Sequence, residues 1–181
     1  SRHIGKHIIT TALEHSSVSA PLTWLQEQGY EIDLADIGRD GKIDLSCLWE
    51  LIRKDTVLVT VCAVDSELGV IQPIDKVAEI VRDFPDCSLH VDATQALGKI
   101  PFSFDCADTV SLSAHKIYGL NGSGILIKRG VRPLEPIING GGPNPYRGGT
   151  PTLALAAAFN RALELSLPSV SERYDCVLSL N

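Results

Sequence analysis

What the chain lacks narrows the field first. It has no methionine in 181 residues, a hint that the sequence is part of a longer protein. No apolar run approaches the roughly 18–20 residues needed to cross a bilayer, so no membrane partner is expected. There is no basic run either. Lys+Arg number 16 against 22 Asp+Glu, a net charge of -6, which makes nucleic acid a poor partner. The opening "SRHIGKHIITTALEHSS" puts charges and histidines where the apolar stretch of a signal peptide would lie. No CxxC pair occurs. Cys47, Cys62, Cys87, Cys106 and Cys176 are scattered and odd in number, which argues against a disulfide framework and gives zinc no ligand set. These thiols read as reduced, small core residues of a cytoplasmic protein, with no metal site.

What is present is an ordinary globular composition, 44% apolar and 21% charged, enough for one domain with a core. Strand-like and helix-like segments alternate. "KHIITTA", "YEIDLADI", "TVLVTVCAV", "SLHVDA", "DTVSLSA" and "SGILIKR" read as strands. "TVLVTVCAV" is nearly continuous in apolar residues, as a strand buried on both faces would be. "SAPLTWLQEQG" has helical spacing and ends at Gly29, a suitable C-cap. "DLSCLWELIR" has Asp44 as its expected N-cap, with Leu45, Leu48, Leu51 and Ile52 on one face. "PIDKVAEIVRDF" is amphipathic. "TLALAAAFNRALELSL" is a strong helix with Thr150 or Thr152 near its start. This alternation predicts an α/β domain of three layers, α/β/α, around a mainly parallel sheet. The interval 131–151 is too rich in Gly and Pro for regular structure and is read as a functional loop.

In such sheets ligands bind beyond the carboxyl ends of the strands. Three strand ends carry polar groups: Asp65 and Glu67; Asp92 and Gln95; Ser113, His115 and Lys116. A lysine at such a site can form a Schiff base with a carbonyl, since burial depresses its pKa and frees the amine. Pyridoxal 5'-phosphate (PLP) needs that lysine. It also needs a carboxylate at its ring nitrogen, a flat group against its ring and donors for its phosphate. Lys116, Asp92, His15 and Ser113 are the respective candidates.

Five stretches carry a resemblance: "HIITTALEHSSV", "ELGVIQPI", "HVDATQALGKIPF", "SLSAHKIYGLNGSGIL" and "GGGPNPYRGGT". In order and spacing they resemble the class V aminotransferase group of fold-type I PLP enzymes, and within it the cysteine desulfurases of the NifS/IscS kind. The resemblance implies that Lys116 tethers the cofactor, Asp92 pairs with its ring nitrogen and Gln95 bonds its phenolic oxygen. It makes His15 the residue that stacks on the ring and assists proton transfer, and Ser113 and His115 the phosphate ligands. Thr150 would reach the phosphate in the partner subunit of a homodimer. The implied reaction converts L-cysteine to L-alanine and leaves the sulfur as a persulfide, to be passed to an acceptor or scaffold protein for iron–sulfur cluster or thio-cofactor assembly.

Three departures from that pattern stand out. Asp65 occupies the position of an Asn that donates to the phenolic oxygen; an ionised carboxylate cannot donate. Three readings follow: a differently seated cofactor, an Asp65 turned away, or a site tuned to another reaction. The loop "PNPY", with Pro143, Asn144, Pro145 and Tyr146, is shorter and stiffer than its counterparts. Lastly, residues 1–168 match the central part of a large domain, and 169–181 read as the start of a connection to a small domain. None of the five cysteines, Cys176 included, matches the position of the persulfide Cys, and the Arg that holds the substrate carboxylate is not found, so the chain by itself is expected to be inactive. Two alternatives remain at this level. One is another class V enzyme, a selenocysteine lyase or an aminotransferase. The other is a catalytically silent PLP-fold module that serves dimerisation.

Overall fold

A computed structural model describes residues 5–130, 133–140 and 144–180. Its centre is a six-stranded sheet in the order β2-β1-β3-β4-β5-β6. The strands are β1 (His7–Thr11), β2 (Glu31–Ala35), β3 (Thr56–Cys62), β4 (Ser88–Asp92), β5 (Thr109–Ser113) and β6 (Gly124–Lys128). All neighbours pair in parallel except β6, which runs antiparallel to β5. Every predicted strand is present, and the sheet is mainly parallel as expected.

The helices are α1 (Ser16–Glu27), α2 (Leu45–Leu51), α3 (Ile74–Arg82), α4 (Leu153–Ser166) and α5 (Val170–Leu178). From β1 the chain moves outward through α1 to β2, then crosses back through α2 to β3 and continues through α3 to β4. Right-handed crossovers in opposite directions put α1 on one face and α2 and α3 on the other, which makes the layers α/β/α. The pattern of α3 shows why it stays there. Ile74, Val77, Ala78 and Val81, at helical spacing, are buried, each larger one stabilising by about 1.5–3 kcal/mol. Asp44 caps α2 as its sequence predicts, accepting from the Ser46 and Cys47 backbone N–H groups at 2.8 and 3.1 Å. Gly29 follows α1 with φ +84, a conformation that favours glycine. Thr152 stands at the N-cap of α4, but its side chain makes no capping hydrogen bond.

The core is one cluster centred on β3 and β4, with Val59, Val61, Leu89 and Val91 essentially inaccessible. The cysteines divide. Cys62 and Cys87 are buried as expected, Cys47 and Cys106 are half-buried, and Cys176 is exposed on α5, a correction to the reading of all five as core residues. The domain boundary expected at 168 falls in the short 3-10 turn Leu167–Ser169 between α4 and α5. Of the stiff loop, Pro143 lies outside the described residues.

Candidate active site

The parallel register aligns the carboxyl ends of β1, β3, β4 and β5 along one edge. Asp92 closes β4, opposite Cys62 of β3. Ser113 closes β5, and a 3-10 turn (Ala114–Ile117) then carries His115 and Lys116. The turn is tight. Gly119 donates its N–H to Ala114 O at 3.0 Å, and a Cβ on Gly119 would stand 2.8 Å from that oxygen. Only glycine fits there, which is the physical reason for a Gly three residues beyond Lys116. His15 is the N-cap of α1, its Nδ1 accepting from the Ser17 N–H at 3.2 Å.

These ends surround a cleft of about 560 Å³, within the range of small-molecule sites. Of the nine residues singled out from sequence, His15, Glu67, Asp92, Gln95, Ser113, His115 and Lys116 line it. Asp65 and Thr150 do not. Asp65 borders a neighbouring cleft of about 580 Å³, which shares Glu67, Gln95 and Lys116 with the first. Its carboxylate is turned into its own loop, accepting from the Glu67 N–H at 3.1 Å and from the Leu68 N–H. Of the three readings of Asp65, the geometry matches the one in which it is turned away, and capping such a turn is a task Asp performs as readily as Asn. Thr150 lies in a third cleft, with Gly122, Thr152 and Phe159.

The electrostatics separate the groups by role. Asp92 is buried, and its Oδ1 accepts from the Thr94 N–H at 3.0 Å. Lys116 is exposed and has no ion-pair partner among the described residues. Burial, and then the carboxylates of Glu14, Asp65 and Asp92, push the Cys62 thiol far up. A buried thiol held in its neutral form is a poor nucleophile, and Cys62 is such a thiol in the cleft lining. Cys176 is not part of the cleft lining.

Two residues were not singled out from sequence. Lys99 donates to Gln95 Oε1, which makes the NH₂ the donor end of the Gln95 amide. Burial, and then the charge of Lys116, lower the Lys99 pKa. Its spacing of four from Gln95 was the available signal. Glu14, one residue before His15, is the other, and nothing in its local pattern reveals that its side chain turns inward.

The donor set fits PLP: one cleft offers an amine, a buried carboxylate, an imidazole and a hydroxyl next to a 3-10 turn. A family model described as "Aminotransferase class-V" matches residues 2–170. The chain belongs to the class V aminotransferases. Among relatives, this class V chain is 39% identical to a "NifS/IcsS protein homolog" of Lactobacillus delbrueckii subsp. bulgaricus, over 96% of this chain and 46% of that protein. It is 39% identical to "Cysteine desulfurase IscS 1" of Archaeoglobus fulgidus, over 90% of this chain and 43% of that protein. A solved structure titled "NIFS-LIKE PROTEIN" superposes with a TM-score of 0.90 at 35% identity, covering 94% of this chain and 48% of that one. The chain spans less than half the length of the relatives it matches. Among the described residues no helix is long and apolar enough to cross a membrane, and no group of His, Cys, Asp or Glu could hold a metal ion.

Proposed function

We propose that this chain is the PLP-binding large domain of a cysteine desulfurase, and that the whole protein converts L-cysteine to L-alanine with the sulfur leaving as a persulfide. The observation that carries the reading is the convergence of Lys116, Asp92 and His15 from three strand ends on one cleft, in a chain whose relatives include proteins named cysteine desulfurases. When bound, PLP supplies an electron sink for charge developing on the substrate.

The protein's own residues do the rest. Lys116 would hold the cofactor through its amine, and its Nζ would be the group that moves a proton. Asp92 keeps the ring nitrogen protonated, its Oδ1 oriented by Thr94. Gln95, oriented by Lys99, donates to the phenolic oxygen. His15 packs against the ring; its Nδ1 accepts from Ser17, so Nε2 is the nitrogen left to exchange a proton. Ser113 and His115 hold the phosphate, and Thr150, outside the Lys116 cleft, serves the cofactor of a partner subunit in a homodimer. The persulfide then goes to an acceptor or scaffold protein in the cytoplasm.

The test is an absorbance spectrum of the chain with added PLP, followed by borohydride trapping and peptide mass mapping. Label on Lys116 is the expected result. A folded chain that traps label on another lysine, or traps none, overturns the assignment of the site. For the whole protein, release of alanine from L-cysteine in preference to release from selenocysteine separates this reading from a selenocysteine lyase.

A further inference from the structure

Glu14 sits where the strand order reverses. β1 pairs with β2 on one side and β3 on the other, so the carboxyl ends of β1 and β3 flank the switch point of the sheet. From the turn after β1, Glu14 Oε1 accepts from the Cys62 backbone N–H at 2.8 Å and from the Thr11 hydroxyl at 2.9 Å. Its Oε2 is buried with no hydrogen-bond partner among the described residues. A buried oxygen with no partner is unfavourable on an ionised carboxylate, which favours the neutral acid.

The groups around it point the same way. From β3 it faces the neutral Cys62 thiol, and from β4 the Asp92 carboxylate, which repels a second negative charge. His15 on its own turn, and His115 and Lys116 after β5, line the cleft. Burial, opposed by its two hydrogen bonds and aided by Asp92, pushes the Glu14 carboxyl up to about 7.

We propose that Glu14 is a positioning residue of this site: it ties the His15 turn to the strand end beside Asp92 and holds a proton there. A neutral Glu14 adds no second negative charge beside Asp92, the carboxylate that the proposed function sets against a protonated ring nitrogen. The functional meaning rests on the proposed role of Asp92. The test does not, because it needs no cofactor.

The test is a ¹³C-carboxyl NMR titration of the full chain and of Glu14→Gln. The carboxamide keeps an acceptor for Cys62 and Thr11 and cannot ionise. The native protein shows a carboxyl step near pH 7 that is absent in Glu14→Gln. Absence of that step in the native protein, or its survival in the variant, overturns the proposal. The linkage has a definite sign. The native state holds a proton that the unfolded chain releases near pH 4.5, the ordinary value, so native stability falls as pH rises from there through about 7. Glu14→Gln lacks this loss, and its Tm therefore gains on that of the native protein across the same window; a constant gap counts against the proposal. Hydrogen exchange reads the tie. Glu14→Ala speeds exchange of the Cys62 amide about tenfold or more, and Glu14→Gln restores protection; equal protection in all three overturns the positioning role. If Glu14→Ala does not fold, the titration and the Tm gap decide. Failure to trap cofactor on Lys116, with these results intact, would count against the PLP reading alone.

Discussion

At the amino edge of the sheet the buried polar side chain is His7, and both of its nitrogens are engaged. Nε2 donates to Asp33 at 3.1 Å, and Nδ1 accepts from the Thr56 hydroxyl at 2.8 Å. Thr56 in turn accepts from the Arg53 N–H at 2.9 Å. The three side chains stitch β2, β1 and β3 together and leave nothing over for a ligand. At the carboxyl edge of the same strands, among the described residues, Glu14 has one oxygen bonded and one bare, and Lys116 stands without a partner ion. Satisfied polar groups there would leave no capacity to bind or move protons. The difference teaches that the satisfied His7 network serves structure, while the ionisable groups left with spare capacity, Glu14 and Lys116, stand at the edge where the cleft opens. An Asp–His–Thr line of hydrogen bonds resembles a catalytic relay on paper, but a fully inaccessible His7 cannot meet a substrate.

Substitutions at the two edges put that contrast to work. Lys116→Ala has the largest expected effect: borohydride trapping of added PLP is lost completely, while circular dichroism shows the fold intact. His7→Ala acts on the other edge. It opens a cavity and strands Asp33 and Thr56, costing about 3 kcal/mol in a urea melt, with no change in trapping at Lys116; a cost below about 1 kcal/mol would break the comparison. Asp92→Asn weakens PLP binding about 10–100-fold, the loss of a charge-assisted hydrogen bond, read by absorbance titration. Arg53→Ala has the smallest effect. Arg53 is 40% exposed and bridges Glu31 and Asp55 at the surface, so its removal lowers Tm by about 3 °C at most, and by less in high salt.

The fold and most of the site could be read from local pattern. Period-two and continuous apolar runs marked all six strands, and Asp44 announced the start of α2, because strand burial and capping depend on neighbours in sequence. Residues that close or follow a strand, such as Asp92 and the Ser113–Lys116 turn, were also legible, since the parallel strands send their carboxyl ends to one edge. The orientation of Asp65 was not. Whether its carboxylate faces a ligand or its own turn is decided by loop geometry over residues 65–69. Glu14 was passed over because a glutamate in a polar turn reads as solvated.

By itself, then, the chain's sequence determined the α/β/α architecture, the mainly parallel sheet and the chemical inventory of the site, all of which follow from periodicity and from which residue types close each strand. Only the tertiary structure decided which of those residues share a cleft. It turned the Asp65 carboxylate into its own loop, set Thr150 in a separate cleft, and tied Glu14 to Cys62, the residue opposite Asp92. The reason is that burial and charge proximity arise between strands far apart in sequence: Glu14 meets Cys62 across 48 positions, a separation at which local pattern carries no information.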